Sequence, residues 1–223
     1  MVHVIAFDVN ETLLDLRVLD TSFEELFGDV ALRSQWFAQM LQLSFVGGLT
    51  NQYVDFSAAQ RAALRMIAQR RGRTLTTDEI EHVVDAMSHL PAYAEVPGAL
   101  SALAATELTV VALTNSTQSV AGAQLANAGI RQHFDQVLSA DTVGHLKPAP
   151  QPYRAVAKAY DVSIAEVRLV AAHSWDISGA LAAGCKAAFV ARAGMVLSPI
   201  GPQPDITSAD IDDAVQQIIR TDS

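Results

Sequence analysis

The chain has 223 residues and half of them are hydrophobic, which is enough to bury a sizeable core and excludes a disordered or fibrous protein. Fifteen Lys and Arg against 24 Asp and Glu give a net charge of -9, which disfavours nucleic acid and anionic lipid as partners. No run of about 18 uncharged apolar residues predicts a membrane span. The single Cys185 cannot close an intrachain disulfide, and no signal peptide is recognisable, so we expect a cytoplasmic protein.

Short apolar runs predict five buried parallel strands. They lie at residues 3–7, 108–113, 136–138, 167–172 and 187–190. Helix-sized segments separate these runs and open at Pro97, after Thr117, after Pro150 and near Asp176. This alternation predicts an α/β protein with a doubly wound, Rossmann-like parallel sheet.

Residues 16–95 break the alternation, because they carry helical patterns and no convincing buried strand. We therefore expect a catalytic core made of residues 1–15 and 96–223, interrupted by an α-helical cap of residues 16–95. The cap would cover the carboxyl ends of the strands. A last amphipathic helix is expected over residues 208–220.

Two helix boundaries inside the expected cap have local signals. Ser57 is the predicted N-cap of a helix that ends at Arg71, just before Gly72. Thr76 and Glu79 have the spacing of a capping box, which predicts a second helix that continues towards Pro91.

Polar residues follow four of the predicted strands, at the edge where a doubly wound sheet binds its ligands. In chain order they are Asp8, the Thr114-Asn115-Ser116 run, Lys147 in the loop after the third strand, and His173 to Asp176. Two carboxylates, a hydroxyl, an amide and a lysine that meet at one point predict covalent chemistry with a carboxylate nucleophile.

The motifs AFDVNETLLD, LTNSTQS, LKPAPQPY, AAHSWDISGA and ARAG keep their order and spacing over nearly the whole chain. In these motifs the sequence resembles the haloacid dehalogenase superfamily and, within it, the L-2-haloacid dehalogenases. The likeness to the dehalogenases rests on Asn10, Arg33, the Lys147 and Tyr153 pair, and Trp175. It implies hydrolysis of short 2-haloacids, such as haloacetates and 2-halopropionates, to 2-hydroxy acids and halide. It also implies that no metal or organic cofactor takes part.

The resemblance assigns catalytic roles to four residues, and His173 is a fifth catalytic candidate. Asp8 would attack the halogen-bearing carbon and form an aspartyl ester, which water then hydrolyses. Lys147 would keep Asp8 ionised, and Thr12 would support the Asp8 loop. Asp176 would hold Lys147 or orient the hydrolytic water, or would simply cap the helix that it opens. His173 departs from the family, which commonly has Asn there.

Substrate contacts are implied in the same way. The substrate carboxylate would bind Thr114 and the backbone amides of Val9 and Asn10. The departing halide would meet Arg33, Asn115 and Trp175. The pocket would be completed by Phe37, Phe56 and Tyr153, although core packing is an equal alternative for the two Phe residues. His173 is either a structural residue or a group that donates to halide or activates water. Its volume predicts a preference for small substrates, with fluoroacetate among the candidates.

Two alternatives to a dehalogenase stay open on the sequence. A phosphatase of the same superfamily is disfavoured, because Asn10 and Ala172 replace the acidic residues that serve as proton donor and Mg²⁺ ligand in those enzymes. A catalytically silent protein that binds a small acid or a partner is the other alternative. A homodimer is also possible on the sequence, since the apolar residues Leu41, Leu43, Phe45 and Val46 would form either an interface or the core of the cap.

Overall fold

The computed structural model describes residues 1–222, which form a six-stranded parallel sheet in the order β3-β2-β1-β4-β5-β6. The strands are β1 Val4–Phe7, β2 Thr109–Thr114, β3 Gln136–Ser139, β4 Val167–Ala171, β5 Lys186–Val190 and β6 Ile206–Ser208. The predicted doubly wound sheet is therefore confirmed. Strand β6 was not predicted, because it has only three residues, follows a segment with Gly201, Pro202 and Pro204, and contains no apolar run.

Nine helices surround the sheet in the described part of the chain. They are α1 Asp20–Phe27, α2 Leu32–Leu49, α3 Phe56–Arg70, α4 Thr77–Ala86, α5 Val96–Leu103, α6 Gln118–Asn127, α7 Pro150–Ala159, α8 Ser174–Ala183 and α9 Ile211–Asp222. The helices α1 to α4 all lie between β1 and α5 in the chain, and α2 packs along α3. None of the helices within residues 1–222 is long and apolar enough to cross a membrane.

Both faces of β1 are buried, and each face belongs to a different apolar cluster. Ile5 and Phe7 point into a cluster that also contains residues of α5, α6, α9 and the helices α1 to α4. Val4 and Ala6 point into a second cluster, built with α7 and α8. A strand that is buried on both faces needs a continuous apolar run, which is the pattern seen at the start of the sequence.

The local helix signals are correct in part. Thr76 and Glu79 form the predicted capping box, and Gly72 has the expected left-handed conformation with φ 66°. The N-cap of α3 is Asp55 rather than Ser57, because the Asp55 carboxylate accepts the backbone N–H of Ala58. The helix therefore begins at Phe56, directly after the Asp55 cap and one residue before Ser57.

Helix α8 begins at Ser174, with His173 as its N-cap residue. This start is earlier than the predicted one near Asp176. Asp176 consequently lies in the first turn of the helix, and its carboxylate points to Lys147 and Tyr153 instead of capping the helix end. The capping alternative for Asp176 is thus wrong.

A buried arginine lies in β4, where the sequence analysis expected an apolar strand. Arg168 is fully buried, and its Nε donates to Asp222 Oδ2 at 2.6 Å. Its Nη1 donates to Asp205 Oδ1 at 2.6 Å. Because a buried cation needs a nearby anion, these pairs fix α9 and the segment before β6 against the sheet.

Helix α8 approaches the loop before α7 closely at Gly179. A Cβ atom at this position would lie 2.6 Å from Cβ of Pro148 and 2.7 Å from the Tyr153 hydroxyl. Glycine is therefore needed for α8 to rest against the Lys147-Pro148 segment.

The replacement Gly179→Ala should lower the free energy of unfolding by about 1–3 kcal/mol, because the added methyl group must displace Pro148 or Tyr153. Urea unfolding of both proteins measures this loss. The matched control is Gly122→Ala within α6, where an added Cβ contacts nothing and helix propensity favours alanine by up to about 1 kcal/mol. An equal loss in both variants would contradict the close contact at Gly179.

Candidate active site

The carboxylate of Asp8 lies directly after β1, at the point where the strand order reverses between β1 and β4. Asp8 is buried, and each of its oxygens accepts a hydrogen bond. Lys147 Nζ donates to Oδ1 at 2.8 Å, and the Thr12 hydroxyl donates to Oδ2 at 2.6 Å. The N–H of Ala172 donates to the Thr12 oxygen at 2.9 Å, which leaves the Thr12 proton directed to Asp8. The Asp8 side chain is therefore fixed in one orientation.

Lys147 is fully buried, and its ammonium group has three acceptors. Nζ donates to Asp8 Oδ1 at 2.8 Å, to Asp176 Oδ2 at 2.6 Å and to the carbonyl oxygen of Leu113 at 2.9 Å. Three acceptors satisfy the three protons of the ammonium group. The Asn115 amide holds the lysine backbone, since it accepts the Lys147 N–H at 2.8 Å and donates to the Lys147 carbonyl at 3.1 Å.

These contacts determine which groups carry charge. Burial alone would raise the pKa of Asp8, but the Lys147 ammonium and His173 lower it well below its ordinary value. Burial opposes the charge on Lys147, yet Asp176 and Asp8 together hold its pKa above the usual value. Burial raises the pKa of Asp176, although Lys147 and the Tyr153 hydroxyl act against this. Asp8 is consequently an ionised carboxylate in a site that excludes most water.

His173 lies between two carboxylates. Its Nδ1 is 3.1 Å from Asp8 Oδ2, and its Nε2 is 2.9 Å from Glu11 Oε2. Although burial disfavours the charged ring, the hydrogen bonds to Asp8 and Glu11 raise the pKa of His173 to about 9. At neutral pH the ring is an imidazolium that donates from both nitrogens. It has no lone pair with which to take a proton from water.

Glu11 is the residue of this site that the sequence analysis missed. It is buried, and its backbone has a left-handed φ of 59°. One carboxylate oxygen accepts from His173, and the other lies 3.5 Å from Arg33 Nη1. The available signal was its place three residues after Asp8, but no residue pattern indicates a contact with His173.

Arg33 lies on α2 and points to Glu11 and Asp20. Its Nε donates to Asp20 Oδ1 at 2.6 Å. Glu11 therefore stands between the Arg33 guanidinium and the His173 ring. The halide-binding role of Arg33 stays a prediction.

A small cavity of about 10 Å³ lies in front of Asp8, which is room for about one water molecule. Its lining brings together nine residues from the core and the helical segment, namely Asp8, Asn10, Phe37, Phe56, Thr114, Asn115, Lys147, His173 and Trp175. The Tyr153 hydroxyl donates to Asp176 Oδ1 at 2.5 Å, so Tyr153 supports Asp176 from behind and does not line this cavity. Val9 is buried and closes the loop after β1, since its carbonyl accepts the N–H groups of Leu13 and Leu14.

Aromatic rings form the wall next to His173. The imidazole stacks on Phe37, with ring centroids 5.7 Å apart, and on Trp175, with centroids 5.2 Å apart. The indole N–H of Trp175 is buried and has no hydrogen-bond partner among residues 1–222. An unpaired buried donor is costly, and Trp175 is one of the residues that line the cavity.

Asn10 connects two loops. Its amide donates to the Ser116 hydroxyl at 3.3 Å and accepts from Gln124 Nε2 at 3.0 Å. A carboxamide has no acidic proton to give to a leaving alcohol. The ammonium group of Lys147 lies directly between the Asp8 and Asp176 carboxylates, and no group of three or more potential metal-ligating side chains was found within residues 1–222.

Comparison with known proteins places this arrangement in a family. A model of the haloacid dehalogenase-like hydrolases matches residues 2–184. The chain belongs to this family. The ion-paired side chains of Asp8, Lys147 and Asp176 lie within the matched range.

Three relatives of this haloacid dehalogenase-like hydrolase cover nearly its whole length. It is 29% identical to an (S)-2-haloacid dehalogenase of Pseudomonas sp. strain YL, over 90% of this chain and 88% of the relative. It is 26% identical to haloacetate dehalogenase H-2 of Moraxella sp. strain B, over 98% of both chains. The crystallised L-2-haloacid dehalogenase of Xanthobacter autotrophicus with chloropropionic acid covalently bound has 25% identity and a TM-score of 0.92, with both chains fully covered.

The charge on His173 predicts a pH dependence of stability. The pKa of His173 is about 9 in the folded protein and about 6.5 in an unfolded chain. A raised pKa stabilises the fold fully below the unfolded value, and this contribution disappears as the pH rises through the folded value. Between pH 6.5 and pH 9 the unfolding free energy should therefore fall by about 3 kcal/mol, as measured by urea unfolding.

The variant His173→Asn should have a flatter profile over the same pH range. The control His145→Asn removes an exposed histidine and should keep the slope of the unchanged protein. If the unfolding free energy of His173→Asn keeps the full dependence on pH, His173 is not the protonated group between Asp8 and Glu11 that causes it.

Proposed function

We propose that this chain hydrolyses short 2-haloacids to 2-hydroxy acids and halide through an ester of Asp8. The observation that carries the proposal is an ionised, buried carboxylate that faces a small cavity, which is lined in part by Trp175 with its unpaired indole N–H. Asp8 attacks the halogen-bearing carbon, the carbon-halogen bond breaks, and water then cleaves the ester at the Asp8 carbonyl carbon. The covalently bound chloropropionic acid of the Xanthobacter autotrophicus relative supports such an intermediate.

The surroundings of Asp8 suit a carboxylate nucleophile. A hydrated carboxylate is a poor nucleophile, and this one is shielded from solvent while Lys147 and Thr12 hold it in place. Halide leaves without a proton, so the reaction needs no general acid at Asn10. Because displacement inverts the carbon and ester hydrolysis leaves it untouched, a chiral substrate yields the inverted hydroxy acid.

The substrate carboxylate binds Thr114 and the backbone N–H groups of Val9 and Asn10 in this proposal. Thr114 lines the cavity and lies just before the start of α6, where helix N–H groups favour an anion. The halide side is formed by Trp175 and Asn115, with Arg33 more distant behind Glu11. The unpaired Trp175 N–H supports this division, because it is a donor free to meet the departing halide.

The size of the cavity supports a small substrate. The cavity has room for about one water molecule, so Phe37, Phe56 or Trp175 must move apart to admit a haloacid. Each additional methyl group requires more displacement in a packed site. Haloacetates, with fluoroacetate among them, are therefore favoured over 2-halopropionates.

The helical residues 16–95 act in this proposal as a cap on a core of residues 1–15 and 96–223. Phe37 and Phe56 come from this segment and close the cavity from one side. Leu41 is buried, which supports a role in the cap's own core, whereas Phe45 packs on Trp175 across the boundary between cap and core. Val46 is half-exposed, and a homodimer stays a prediction, as does a cytoplasmic location.

The ester mechanism predicts where oxygen from water goes. In a single turnover with chloroacetate in ¹⁸O-water, the label should enter the Asp8 carboxylate before it enters the product. Mass spectrometry of the peptide that contains Asp8 measures this incorporation, and Asp8→Asn should release no halide. Halide release with an unlabelled Asp8 would contradict the ester mechanism. Release of phosphate from a phosphate ester in the presence of Mg²⁺ would favour the phosphatase alternative.

Trp175→Phe keeps the aromatic ring and removes the N–H group. We expect kcat/KM for chloride release from chloroacetate to fall about 10- to 100-fold, because a hydrogen bond to a charged group is lost. The matched control is Trp36→Phe, since the Trp36 N–H donates to the Gln60 carbonyl within the core. The control should change stability and leave kcat/KM near the unchanged value. Similar activity losses in both variants would contradict a halide contact at Trp175.

A further inference from the structure

Glu11 has an unfavourable backbone conformation and a buried charged side chain. A left-handed φ of 59° costs a residue other than glycine roughly 1 kcal/mol or more. Its side chain is only 12% exposed, and it gives its closest contact, 2.9 Å, to His173 rather than to Arg33 at 3.5 Å. A strained, buried carboxylate beside a nucleophile indicates a role in the chemistry.

The two oxygens of Asp8 are not equivalent. Oδ2 accepts hydrogen bonds from Thr12 at 2.6 Å and from His173 at 3.1 Å. Within residues 1–222, Oδ1 accepts from Lys147 alone, at 2.8 Å. Oδ1 therefore retains a lone pair for attack on the substrate carbon. Oδ2 then becomes the carbonyl oxygen of the ester, with two donors already directed at it.

Ester formation removes one of the two counter-ions of His173. In the free protein the imidazolium contacts the Asp8 and Glu11 carboxylates. Once Asp8 is an ester it is neutral, and Glu11 is the anion that still contacts the ring. The other charged groups nearby are more distant from the ring: Lys147 and Asp176 lie on the Oδ1 side of Asp8, and Arg33 and Asp20 lie beyond Glu11.

We propose that Glu11 is a positioning residue for the second half of the reaction: it keeps His173 protonated and directed at Oδ2 while the Asp8 ester is hydrolysed. This inference rests on the proposed dehalogenation. The His173 Nδ1–H and the Thr12 hydroxyl then form an oxyanion hole for the tetrahedral intermediate. Without Glu11 the ring loses its remaining counter-ion, and a buried cation without a counter-ion gives up its proton.

The step balances as an ester hydrolysis. The oxygen of water bonds to the Asp8 carbonyl carbon, and negative charge develops on Oδ2. The bond between this carbon and Oδ1 then breaks, and Oδ1 leaves as the hydroxyl oxygen of the product. One proton of the water ends on that hydroxyl and the other goes to solvent. Asp8 returns to a carboxylate, and His173 keeps its proton throughout.

The test separates ester formation from ester hydrolysis in Glu11→Gln. With chloroacetate in a single turnover, chloride release should stay within about threefold of the unchanged protein. Steady-state kcat should fall about 10- to 100-fold, as expected for a weakened oxyanion donor, and mass spectrometry should find the Asp8 ester accumulated. The alkaline limb of the kcat profile should also move to lower pH, because protonation of His173 is less favourable without Glu11.

A second variant separates this role from a purely structural one. Glu11→Gly removes the carboxylate, as Glu11→Gln does, but also relieves the left-handed strain, so its unfolding midpoint should be higher than that of Glu11→Gln while the ester accumulates in both. The matched control is Glu81→Gln, which breaks a partly exposed pair with Arg61 between α3 and α4 and should leave kcat and its pH profile unchanged.

The outcomes distinguish this inference from the proposed function. If the unchanged protein releases halide, but both Glu11 variants keep its pH profile and accumulate no ester, the role of Glu11 is wrong and the dehalogenation stands. If the unchanged protein releases no halide from any haloacid, the dehalogenation and the role of Glu11 fail together. Ester accumulation in both variants, with normal kinetics in Glu81→Gln, supports the assignment.

Discussion

The ammonium group of Lys147 is a buried charge, and the site is organised around satisfying it. A cation without solvent exposure needs counter-ions and acceptors, which Asp8, Asp176 and the Leu113 carbonyl supply. The contacts of Asn115 with the lysine backbone and of Gly179 with Pro148 hold the chain that carries it. Together with His173, Arg33, Glu11 and Asp20, the network has three cations and four carboxylates. The positive charge that Asp8 needs is therefore supplied locally, although the whole chain has a net charge of -9.

Much of the fold was predictable, because strands buried on both faces leave continuous apolar runs in the sequence. The end of β1 just before Asp8 follows from such a run. The end of α3 follows from a different local signal, the glycine at position 72. The strand β6 and the buried Arg168 were not predictable in this way. A three-residue strand is stabilised by its neighbours, and the partners of Arg168 lie 37 and 54 residues away in the chain.

The site was predictable where it depends on position in the topology. Parallel strands end at one edge of the sheet, so Asp8, Thr114 and His173 had to lie near each other. The direction of each side chain was not available, because it depends on packing between distant segments. Glu11 was therefore missed. Arg33 was assigned to the halide by resemblance, and its contacts with the carboxylates of Asp20 and Glu11 were not foreseen.

Trp175 and His173 lie ring against ring, with their centroids 5.2 Å apart. An excited indole transfers an electron to an adjacent imidazolium more readily than to a neutral imidazole, so a charged His173 quenches Trp175 emission. The other tryptophan, Trp36, is buried between Phe23 and Phe37 and contributes a background. The intrinsic fluorescence of this protein is thus an optical readout of the charge beside Asp8, and it needs no added label.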